Sequence, residues 1–169
     1  MTSSVRATAR NTVKIDYEIV LPGGAKIKGA NQCTTGENAG APTYYRRRAD
    51  GKDGKGRPQY FHMWDPDAQL FDWLANEVFD HYDNDPDAYY DNVELATGTI
   101  TVVDDQGPCH SCRSVITQFK REFKKVKITV RYATGDELRP TRPAGTGIGL
   151  YGYDKGAEHE GKGWWVKTL

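Results

Sequence analysis

Residues 98–133 constrain the fold of this chain more than any other stretch. GTITVV (98–103) is β-branched and apolar, as a buried central strand is. DDQGP (104–108) is a loop. CHSCRSVITQFKREF (109–123) sets Val115, Ile116 and Phe119 at helical spacing and opens on two cysteines. KVKITVRYA (125–133) alternates like a strand. A strand, a helix and a strand in this order belong to an α/β sheet.

The remaining segments add to that unit. TVKIDYEIVL (12–21) and AKIKGANQ (25–32) flank the turn PGG and predict an opening hairpin. Short strands are expected over 43–50 and 146–154, and WWVKTL closes the chain. WDPDAQLFDWLANEV (64–78) reads as a helix start, with Asp65 at the N-cap and Pro66 in the first turn. Its helix should run to about Tyr82, and a short helix should follow over 87–96. The connection between the last two strands carries no helical pattern, so those strands should be antiparallel. The expectation is a mixed sheet of about five strands with helices on both faces. Residues 1–10 read as a disordered edge, and 11–169 as one domain.

The chain has 169 residues, enough for one core without disulfide staples. No stretch approaches a membrane span, and MTSSVRATARN lacks the apolar centre of a signal peptide. Net charge is zero but unevenly spread. Residues 1–63 carry 11 Lys/Arg and 5 Asp/Glu, residues 65–105 carry 12 acids and no Lys or Arg, and residues 106–169 carry 12 bases and 6 acids. Such a chain can turn a positive face to an anion. Alternatively, the blocks pair with each other across the fold.

Three cysteines make no disulfide framework. Cys33 stands alone, and Cys109 and Cys112 form a CxxC at a helix start. Such a pair either holds a metal or cycles as a redox disulfide.

Pro108-Cys109-His110-Ser111-Cys112 matches the second half of a known pattern. That pattern is a helix opening on H-x-E, a strand, and P-C-x-x-C at the next helix. The chain thus resembles the zinc-dependent nucleic acid and nucleotide deaminases. The flanking strands and helix look closest to their bacterial polymorphic-toxin branch, over roughly residues 60–133. Some members of that branch carry D-x-E, and Asp67-Ala68-Gln69 falls at that place. Asn92-Val93-Glu94 keeps the Glu but leaves no room for a helix before the strand at Gly98.

The resemblance implies a cytidine deaminase-like three-layer fold. It also implies a zinc ion on Asp67, Cys109 and Cys112, whose bound water attacks cytosine or adenine. Gln69 would then stand at the position of the proton-carrying Glu. An amide cannot take that proton, and the loss is worth roughly 10²–10⁴ in rate. The chain as written would be nearly inactive, either through a Glu→Gln change made to silence it or as a natural pseudoenzyme. The intact surroundings favour the former.

TYYRRRADGKDGKGRPQYF (43–61) sets six basic residues among aromatics. Tyr44, Tyr45, Arg46, Arg47 and Arg48, with Trp64 beside the site, could meet phosphates and stack on bases. A solvated loop with its tyrosines packed on the sheet is the alternative. Lys120, Arg121, Lys124, Lys125 and Lys127 form a second basic run, more often a solvated helix face.

The leading expectation is a cytosine deaminase acting on single- or double-stranded DNA. It would be a monomeric toxin domain of a secreted protein, working in the cytoplasm of a target cell and blocked by a cognate immunity protein, with no membrane partner. A thiol–disulfide oxidoreductase on Cys109 and Cys112, and a non-catalytic zinc-containing nucleic-acid-binding module, are the competing readings.

Overall fold

The computed structural model describes residues 11–47, 64–133, 153 and 156–169. Strand β1 (Thr12–Val20) and strand β2 (Lys26–Thr34) form the expected antiparallel hairpin. Alternation explains β1: Val13, Ile15, Tyr17 and Ile19 all turn to one side and are buried. β1 also pairs antiparallel with β3 (Thr97–Asp104). Gly98 is needed at that junction. Its φ is +120°, and a Cβ there would lie 2.0 Å from the Glu18 carbonyl oxygen.

Helix α3 (His110–Glu122) links β3 to β4 (Lys125–Ala133), which lie side by side and parallel. A parallel pair requires such a crossover. β6 (Trp164–Thr168) pairs antiparallel with β4, and β5 (Ala157–Gly161) pairs antiparallel with β6. The sheet is six-stranded and mixed, in the order β2-β1-β3-β4-β6-β5.

Helix α1 (Pro66–His81) and helix α2 (Pro86–Val93) precede β3. Leu70, Phe71, Leu74 and Val78 of α1 enter the core, and Phe71 meets Phe119 of α3 with ring centres 5.0 Å apart. Trp73 of α1 meets Tyr17 of β1 edge-on. Asp85 caps α2 by accepting from the amides of Asp87 and Ala88.

This mixed α/β architecture agrees with the cytidine deaminase-like expectation, and its last two strands, β5 and β6, are antiparallel, though they lie beyond the strand expected over 146–154. Its details differ in three ways. There are six strands rather than about five. The three described helices pack on one face. β1, β3 and β4 bury residues such as Ile15, Ile100 and Ile128 on that face, while Lys14, Thr101 and Lys127 on the other stay exposed. Among the described residues, 43–47 form no strand. Residues 1–10, 48–63 and most of 146–154 lie outside the described residues, and with them the expectations made there. No helix among the described residues is long and apolar enough to cross a membrane.

Candidate metal centre and active site

Two helix starts meet at the site, and each departs from ordinary capping in a useful way. Asp65 occupies the N-cap of α1, yet its carboxylate caps nothing in its own helix. The carboxylate reaches α3 instead. Oδ2 of Asp65 lies 3.3 Å from Cys109 Sγ and 3.6 Å from Cys112 Sγ. Cys109 is the N-cap of α3, and its sulfur accepts the Cys112 amide at 3.4 Å. The three ligand atoms lie within 4.8 Å of one another, and both cysteines are free thiols. Asp65 and Cys112 are buried and Cys109 is half-buried.

One carboxylate oxygen and two sulfurs suit zinc. Three protein ligands leave the fourth tetrahedral position free for water or substrate, as catalytic zinc sites do. The donor set therefore fits the implied metal. The carboxylate that closes it, however, is Asp65 and not Asp67.

Asp67 sits one step behind the cluster. Its side chain is buried within hydrogen-bonding reach of Asp104, the last residue of β3. Burial first, then the facing Asp104 carboxyl and the neighbouring Cys109 and Asp65, push its carboxyl well above the usual range. Asp67 Oδ1 and Asp104 Oδ2 lack a hydrogen-bond donor among the described residues. One proton held between them would supply it. Burial likewise raises Asp104, against the opposing hydrogen bonds from Asp67, Gln106, Asn11 and Gly107. The Cys112 thiol is pushed well up by its bond to Cys109, then by burial and nearby carboxyls.

Gln69 has another partner set than a metal-bound water. Its Nε2 donates to the carbonyls of Glu37 and Trp64, both at 2.8 Å, and its Oε1 accepts the Ala39 amide at 2.9 Å. The amide spans the loop after β2 and the residue before Asp65. A Gln suits this place because its amide can both donate twice and accept.

The expected nucleic-acid contacts divide. Tyr45 is buried in the core against Phe119, and Arg47 forms a buried ion pair with Asp72 at 2.6 Å. Asp72 also accepts the amides of Tyr44 and Tyr45 at 3.0 and 2.9 Å. Tyr45 and Arg47 thus tie their segment to α1 and do not present themselves to phosphate or base. Tyr44 is exposed but bonds Tyr90 and Glu122, a poor setting for a polyanion. Arg46 is exposed, with its backbone held by Gln118. Arg48 lies outside the described residues. Trp64 stands next to Asp65 and is 50% exposed. Lys120 donates to the carbonyls of Lys124 and Val126, closing the end of α3.

The sequence reasoning did not place Asp65 beside the two sulfurs, nor Asp72 and Asp104 as acceptors that hold the neighbouring loops. A signal for Asp65 existed. If Cys109 opens α3 as its N-cap, the matching residue of α1 is its own N-cap, two positions before Asp67.

No curated protein and no solved structure matches the chain. Residues 87–134 match the toxin-deaminase family, described as the BURPS668_1122 family of deaminases. The matched segment runs from α2 to β4 and carries both cysteines, but not α1. This similarity supports a deaminase of the toxin type.

Proposed function

We propose that the chain is a zinc-dependent deaminase that converts cytosine to uracil in DNA. The observation that carries this reading is the Asp65–Cys109–Cys112 cluster at two converging helix starts, inside a fold whose matched segment is that of toxin deaminases. Asp65, Cys109 and Cys112 would hold the metal. A zinc ion supplies activation of water for attack on the ring carbon that bears the amine.

In this reading Asp65-Pro66-Asp67 fills the place of H-x-E, and Asp67 is the proton carrier. It stands two residues after the ligand, and its carboxyl senses the charges of Cys109 and Asp65. Its carboxyl would take a proton from water and return it to the departing ammonia. Gln69 then has a structural task, and the chain as written is active rather than silenced. Trp64 offers an exposed ring beside the site for stacking on a base, and Arg46 a cation for phosphate. The domain would be a monomer, delivered into the cytoplasm of a target cell by a secreted protein and restrained by an immunity protein.

One observation weighs against a thiol–disulfide oxidoreductase. Such sites favour a thiolate at the first cysteine, whereas the Asp65 carboxylate lies 3.3 Å from Cys109 Sγ and 3.6 Å from Cys112 Sγ and opposes negative charge there. A non-catalytic zinc module has no use for a second carboxyl beside the ligands.

The test is deamination of cytosine in single- and double-stranded DNA, with RNA and adenine-containing strands in parallel. The chain, Asp67→Asn and Gln69→Glu would be compared. Uracil formed by the chain and lost in Asp67→Asn supports the reading. Uracil formed only by Gln69→Glu restores the silenced-enzyme reading. Product on RNA or adenine alone corrects the substrate.

A further inference from the structure

We infer that Asp104 is a positioning residue for the metal centre, a single carboxyl that ties the loop delivering Cys109 to the helix turn carrying Asp65 and Asp67. The inference rests on the metal-site reading above and concerns a residue outside its ligand set.

Asp104 is fully buried at the end of β3. A carboxyl is expensive to bury unless its oxygens are used. Oδ1 accepts two backbone amides, Gln106 at 2.9 Å and Gly107 at 3.0 Å. These bonds turn the chain sharply as it leaves the sheet. Gly107 has φ +86°, a conformation that side chains other than glycine rarely adopt. Only Pro108 then separates the turn from Cys109.

The same carboxyl faces that of Asp67 in the first turn of α1, and both residues are fully buried there. Asp105 next to it donates its amide to Thr12 at 3.3 Å. Three pieces of chain therefore meet at one side chain: the end of β3, the cysteine loop and the first turn of α1. The distance between Asp65 and the two sulfurs depends on how the last two are held together. Partners behind a metal's ligands typically set affinity by about 10–100-fold.

The experiment compares the chain with Asp104→Leu and Asp104→Asn. Leu keeps the volume without an acceptor. Asn keeps the acceptor for the two amides and offers Asp67 a donor. Zinc affinity is read by competition with a chromophoric chelator, and ligand geometry by the absorption of the cobalt(II) form. Hydrogen exchange at the Gln106 and Gly107 amides reports the loop.

The expected result is an affinity loss of about 10–100-fold in Asp104→Leu. An altered cobalt spectrum and faster exchange at both amides should accompany it, and Asp104→Asn should restore all three. Zinc bound as tightly by the Leu variant overturns the inference and leaves the metal site standing. So does an Asn variant as weak as Leu. If the unaltered chain binds no zinc, the metal-site reading fails, and unchanged amide exchange in the Leu variant overturns the positioning role as well. If the Leu variant does not fold, Asp104→Asn decides: native affinity and exchange support the role, and loss of either overturns it.

Discussion

Gln69 donates its Nε2 hydrogens to the carbonyl of Trp64 and to that of Glu37, each across 2.8 Å. A carboxylate at this place would face two carbonyl oxygens with nothing to donate. Gln69→Glu should therefore destabilise the fold by about 2–6 kcal/mol, at about 1–3 for each of the two orphaned carbonyls. Urea unfolding measures this. A Glu variant that keeps full stability and gains deaminase activity would contradict the structural role.

Asp65 and Asp67 should separate cleanly on substitution. Asp65→Ala removes a ligand, so the purified protein should lose its zinc, as metal analysis would show. Asp67→Asn should retain the metal while deamination drops by about 10²–10⁴-fold. Equal zinc loss in both variants would mean that the two carboxylates share the metal.

The buried pair of Arg47 and Asp72 should act on stability and not on nucleic acid. Asp72→Ala takes the carboxylate from the Arg47 guanidinium and the acceptor from two backbone amides, and should cost about 3–5 kcal/mol. Arg46→Ala should leave stability unchanged and lower the salt dependence of DNA binding by about one phosphate contact. A salt slope unchanged from that of the unaltered chain would remove Arg46 from the interface.

Cys33 carries a pH signature. Burial, then the charges of Glu37 and Asp67, raise its thiol to about 11. The neutral thiol is favoured in the folded state. Its contribution to stability is thus complete below the unfolded value of about 8.5 and is lost as pH rises through about 11. The stability gap between the chain and Cys33→Ala should narrow over that window. Alkylation of native Cys33 near neutral pH should be slow, because little thiolate is present.

Much of the fold was legible because its elements repeat at fixed periods. The alternation of Val13, Ile15, Tyr17 and Ile19 could only be a half-buried strand. The spacing of Leu70, Phe71, Leu74 and Val78 could only be a helix. β5 was not legible. AEHEG has no apolar alternation, and it is a strand because β6 pairs with it. The two cysteines were legible from their spacing. The choice between Asp65 and Asp67 could be read only by matching the N-cap of α1 to that of α3, since both residues open the same helix turn. Arg47 looked like a free cation because its partner, Asp72, lies 25 residues further on.

α1 also gives the molecule a sense of direction. Its 16 residues span about 24 Å. Asp65 and Asp67 at its leading end are buried, whereas Asp80, Asp83, Asp85, Asp87 and Asp91 lie exposed or half-exposed at and beyond its trailing end, with no Lys or Arg between residues 65 and 105. Beside them stand Lys120, Arg121 and Lys124 at the end of α3, and Lys124 pairs with Glu94 at 3.3 Å, so this end of the domain carries both signs of charge and the acids there are partly answered from within the fold.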